Sequence, residues 1–157
     1  MATQIGLRNM FLHTNPFEPN ERYGIFVWTL GGEKPEVDGY RSFLVNVGKW
    51  KSENIYTIKC DDYRNYLGED KPFGGVPEMQ EAMRNDFKKY VEEIAKEVKD
   101  GDLVLIGLNG HGNPRGTNFI NYDELVKDLE EIKKGEIVVL VDACNSGGQL
   151  IISKTAR

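Results

Sequence analysis

Leu103-Val104-Leu105-Ile106-Gly107-Leu108-Asn109-Gly110-His111-Gly112 and Ile137-Val138-Val139-Leu140-Val141-Asp142-Ala143-Cys144-Asn145-Ser146-Gly147-Gly148 point most directly to the architecture of this chain. Each begins as an apolar run of buried-strand length and passes into a loop of small residues carrying one reactive side chain. Strands buried on both faces belong to parallel α/β sheets, which collect ligands and chemistry at the carboxyl ends of their strands. A thiol and an imidazole are therefore expected to face one crevice, the minimum apparatus for nucleophilic cysteine chemistry.

Outward from this pair, the chain alternates strand and helix. Tyr23 to Trp28 reads as a first strand and Asn54 to Lys59 as a second, ending at Asp61-Asp62. Between them, Val37, Tyr40, Phe43, Leu44 and Val47 fall at helical spacing and predict a helix from about Val37 to Trp50. A loop rich in Gly and Pro runs from Tyr63 to Pro77. Met83, Phe87, Tyr90, Val91, Ile94, Ala95 and Val98 then mark the clearest apolar stripe, stopped by Asp100-Gly101. A last helix is expected from about Tyr122 to Lys134, capped by Asn121 and ended by Gly135. Strands separated by helices imply right-handed parallel crossovers.

The expected fold is thus α/β with a mostly parallel sheet of about four strands. Residues 1–22 read as an irregular arm, 23–148 as the core and 149–157 as a linker or processed tail. The last strand is as apolar as a central one and makes a poor edge, so further strands are expected from a second segment.

Composition narrows the function classes. The 157 residues carry a net charge of -5, which argues against a nucleic-acid surface, because phosphate binding needs a concentrated basic face. Lysines instead follow acids at helical spacing, as in Glu92 with Lys96, Asp123 with Lys127 and Glu130 with Lys134. The sequence has no apolar stretch of membrane-spanning length and no signal-peptide pattern at Met1, so a cytoplasmic location without membrane contact is expected.

Two cysteines are too few for a disulfide scaffold. Cys60 closes the apolar alternation from Ile55 and reads as a packing residue. Cys144 differs, with Asp142 before it and Gly147-Gly148 after it. A phosphate cradle around Gly110-His111-Gly112 fails on spacing, and Ser146 lacks the glycine two positions earlier that a nucleophile elbow needs. His13, in the arm, reads as a surface or packing histidine.

The two strand-loop segments resemble the His-Gly and Ala-Cys motifs of the caspase-like cysteine peptidases, the group of caspases, metacaspases, legumains, gingipains and clostripain. Tyr23 to Asp62 is similar to the legumain and metacaspase start, and the resemblance covers roughly Tyr23 to Gly148. It implies a caspase-like three-layer sandwich, of which this chain would be the large-subunit-like portion. It also implies Cys144 as nucleophile, His111 as the assisting imidazole, and the amides of Gly112 and Cys144 as the oxyanion hole. Asp142, Asp38 and Asn109 match pocket-lining positions, with Glu33 as an alternative to Asp38.

Two carboxylates in that pocket imply cleavage after Arg or Lys. A legumain-like preference for Asn stays open, as does a caspase-fold regulatory or binding subunit without turnover. The implied partners are a peptide or protein substrate and a small-subunit segment. The chain stops at Arg157, which an Arg-preferring enzyme would leave by processing itself or a like chain. No cofactor is expected. Calcium, which some relatives require, has no recognisable loop around Asp61 and Asp62.

Overall fold

The computed structural model describes residues 21–29, 36–66, 77–144 and 154–155. Four strands form a parallel sheet: β1 (Arg22–Trp28), β2 (Ile55–Lys59), β3 (Leu103–Gly110) and β6 (Glu136–Ala143), in the order β2-β1-β3-β6. A two-stranded antiparallel hairpin, β4 (Gly112–Asn113) with β5 (Gly116–Thr117), stands beyond β3. The short β7 (Lys154–Thr155) runs antiparallel along the outer edge of β6, pairing with Glu136 and Ile137. The helices are α1 (Glu36–Asn46), α2 (Pro77–Glu97) and α3 (Tyr122–Leu129).

Side chains alternate across each strand, so the sheet has two differently covered faces. Tyr23, Ile25 and Val27 of β1, with Val104, Ile106 and Leu108 of β3, meet Met79, Met83, Phe87, Val91 and Ile94 of α2 and Leu125 and Leu129 of α3. The other face carries a smaller core of Phe26, Leu44, Trp50, Ile55 and Leu105 under α1. Helices therefore lie on both faces. The expected α/β class and parallel sheet hold, and the stripe on α2 is buried as its spacing implies.

Three expectations are corrected. The helix placed over Val37 to Trp50 ends at Asn46. There Gly48 donates back to the Phe43 carbonyl at 3.1 Å, Lys49 takes a left-handed φ of 58°, and Trp50 turns into the small core. Its stripe is not buried either: Leu44 is 4% exposed, but Tyr40 is 49%, Phe43 47% and Val47 64%. Tyr40 instead stacks on Phe26 at 6.5 Å, and that ring lies over Gly24 and Gly107, where a Cβ would come within 2.7 and 2.6 Å of it.

The last helix stops at Leu129 rather than Lys134. Ile132 donates to the Leu129 carbonyl, a tighter turn that folds Ile132 into the core while Lys133 and Lys134 face solvent. Gly135 then takes a left-handed φ of 77°. The loop expected from Tyr63 begins as a short helical segment over Cys60–Tyr66. Asn121 caps α3 as expected, its side chain accepting from the Glu124 amide at 2.9 Å.

At the amino end of the sheet, buried Asp102 ties three strand starts together. Its carboxylate accepts from the amides of Glu21 and Lys99, and its carbonyl accepts from Glu136. No helix among the described residues is long and apolar enough to cross a membrane. The arm, the Arg157 end and Glu33 lie outside the described residues.

Candidate active site

β3 and β6 are hydrogen-bonded neighbours in parallel register, with Gly110 opposite Ala143. One residue further on, β3 delivers His111 and β6 delivers Cys144. Both side chains are exposed. The two loops touch at Gly112: a Cβ built there would lie 2.4 Å from the Cys144 carbonyl oxygen, 2.7 Å from Ala143 Cβ and 3.3 Å from the Cys144 nitrogen. Only glycine lets the two backbones approach this closely. The structure thus brings His111, Gly112 and Cys144 to one place at the carboxyl end of the sheet.

The hairpin orients the Gly112 amide. Asn118 donates its backbone N–H to the His111 carbonyl at 2.8 Å, and Gly112 stands opposite Thr117 in the adjacent, non-hydrogen-bonded position. Amides at such positions point away from the partner strand. The Gly112 N–H therefore points away from β5.

A second row of side chains crosses the sheet on its α1 face at one register level: Lys59, Trp28, Asn109 and Asp142. Asn109 Nδ2 donates to Asp142 Oδ2 at 2.8 Å. The amide must sit this way round, because its oxygen against an ionised carboxylate would be repulsive. Asn109 Oδ1 is left buried without a hydrogen-bond partner. Asp142 is exposed and keeps acceptor capacity for a further donor.

Asp38 is not brought to this pair. It sits in the first turn of α1 and forms an ion pair with Lys59 at 3.3 Å. Lys59 is three strand spacings from Asp142, about 14 Å. Of the three residues expected to line a pocket, the structure brings together Asn109 and Asp142. Cys60 is 1% exposed, as its reading as a packing residue implies. Among the described residues no three of His, Cys, Asp and Glu gather where they could hold a metal ion.

A scan of protein-family models and a search of curated proteins returned no match to this chain.

Two residues at the site escaped the sequence reading. Thr29, just beyond β1, is 7% exposed, and its amide donates to the Asn109 carbonyl at 3.1 Å. Its hydroxyl lies 2.7 Å from Asn118 Oδ1. The available signal was a hydroxyl at the end of a buried strand, since such groups must find partners.

Proposed function

We propose that this chain is the large-subunit-like portion of a caspase-like cysteine endopeptidase, cutting after Arg or Lys. The observation that carries the reading is the convergence of His111-Gly112 and Cys144 at the carboxyl ends of adjacent, in-register parallel strands, with the Gly112 backbone against Cys144.

In this reading the Cys144 sulfur, as thiolate, attacks the carbonyl carbon of the scissile peptide. The amides of Gly112 and Cys144 donate to the oxygen as it gains charge. The carbon–nitrogen bond breaks, His111 gives the leaving amine its proton, and a thioester remains on Cys144. Water then attacks the thioester, losing a proton to His111; the carbon–sulfur bond breaks, releasing the acid and restoring the Cys144 thiolate beside protonated His111.

Asp142 and Asn109 support the basic preference. A guanidinium or ammonium brings donors to the exposed Asp142 carboxylate, which the Asn109 amide holds in place. An asparagine side chain would also donate to Asp142, so the legumain-like preference is the competing specificity.

The test is turnover of short fluorogenic peptides ending in Arg, Lys or Asn, with and without calcium, by the wild-type chain together with any segment that completes it. Basic substrates should be cut, and Cys144→Ala should cut none. Activity retained in Cys144→Ala refutes the nucleophile. No turnover of any peptide favours a regulatory or binding subunit.

A further inference from the structure

Three segments distant in sequence meet behind His111. Thr29 comes from the end of β1, Asn109 and Gly110 from β3, and Asn118 from the turn after β5. The Thr29 hydroxyl is 2.7 Å from Asn118 Oδ1 and 3.2 Å from the Asn109 carbonyl. It has one proton to give. The shorter contact takes it, because the Asn109 carbonyl already accepts the Thr29 amide. Gly110 makes the contact possible: a Cβ there would lie 1.9 Å from the Thr29 hydroxyl oxygen and 2.8 Å from Asn118 Oδ1.

Asn118, held on one side by Thr29, reaches the site on the other side through its backbone. Its N–H donates to the His111 carbonyl at 2.8 Å. That carbonyl and the Gly112 N–H belong to one planar trans peptide unit and point in opposite directions. Fixing the carbonyl on Asn118 therefore fixes the direction of the Gly112 N–H, away from β5. It also fixes the backbone from which the His111 imidazole projects.

We infer that Thr29 and Asn118 form a positioning pair that sets the orientation of the His111–Gly112 peptide, and with it the oxyanion donor and the imidazole. Both would act through the His111 backbone rather than on the reacting atoms. The role in turnover rests on the peptidase reading above, whereas the clamp itself does not.

Thr29→Ala and Thr29→Ser separate the two. Alanine removes the hydroxyl without crowding Gly110, and serine keeps it. In Thr29→Ala the amide exchange of Asn118 should quicken at least tenfold and the Gly112 amide resonance should move, with Ile106 in the core unchanged. The kcat for the best peptide should fall at least tenfold with KM within twofold, and Thr29→Ser should restore both.

The inference is overturned if Thr29→Ala leaves Asn118 exchange and the Gly112 resonance as in wild type. It is also overturned if Ile106 loses protection in parallel, which marks general loosening, or if Thr29→Ser behaves like Thr29→Ala. A wild-type protein that cleaves no peptide refutes the peptidase reading alone, because the exchange and resonance measurements need no turnover.

Discussion

Replacing Gly112 by alanine probes the contact on which the site depends. The added methyl would start 2.4 Å from the Cys144 carbonyl oxygen and 2.7 Å from Ala143 Cβ. An unstrained carbon-to-oxygen contact is about 3.3 Å or more, so the loops must separate by about 1 Å. Both obstacles belong to main chain or to a methyl fixed on it, so no flexible side chain can yield instead. Overpacking of this kind costs about 1 to 3 kcal/mol of stability. A displacement of about 1 Å between reacting groups can cost roughly a hundredfold in rate. Gly112→Ala should therefore unfold at lower urea but still fold, and its kcat/KM on a basic fluorogenic peptide should fall by about two orders of magnitude. Urea unfolding followed by circular dichroism, together with steady-state kinetics on the same preparation, measures both. A folded Gly112→Ala within twofold of wild-type kcat/KM would refute the close-approach argument.

Iodoacetamide at neutral pH should label Cys144 well before Cys60, because Cys144 is exposed and Cys60 is 1% exposed; peptide mapping that finds equal labelling refutes it. Asp142→Asn should lose about tenfold or more in turnover of arginyl peptides, since a hydrogen bond to a charged group contributes about 1.5 to 3 kcal/mol. An unchanged ratio of Arg to Asn cleavage would make Asp142 purely structural. Burial and the hydrogen bond to Asp86 push the Tyr63 phenol above its ordinary value of 10.0. The folded state thus holds this proton more tightly than the unfolded chain, so the contribution is complete below the unfolded value and fades as pH rises above it. Tyr63→Phe should be less stable than wild type by about 1 to 2 kcal/mol at neutral pH. That gap should narrow by about pH 11 in urea titrations, and a constant gap would refute the assignment.

The parts legible in the sequence are those in which one local pattern has one physical outcome. The Val, Ile and Leu runs before His111 and Cys144 are too apolar for an exposed strand, and β3 and β6 are where they are expected. The stripe from Met83 to Val98 can be satisfied only by a buried helix face. On α1 the same spacing misleads, because Tyr40 satisfies itself by stacking on Phe26 above two glycines, and no pattern announces a glycine-floored ring. On α3 the apolar positions 125, 129 and 132 continue a helical period that the backbone abandons after Leu129. At the site, His111, Gly112, Asn109, Asp142 and Cys144 converge as the strand register requires. Asp38 does not join them, since its partner Lys59 depends on which strands neighbour which. The pairing of Thr29 with Asn118 was illegible for the same reason, since only tertiary geometry joins the two.

The Asp102 knot bears on this site from the opposite end of the molecule. Because Glu21, Lys99 and Glu136 all bond to Asp102, β1, β3 and β6 set out from a common starting line. Each residue of strand advances about 3.3 Å, so the eight residues of β3 and of β6 carry that alignment some 26 Å to where His111 and Cys144 emerge. A slip of one residue at the start would turn every side chain to the wrong face and part the two loops together. The chemistry-bearing loops are thus relieved of timing themselves against each other, and the turns that follow β3 and β6 can change in length or sequence while one residue far below, through its carbonyl to β6 and its carboxylate to the start of β1, keeps the strands in step.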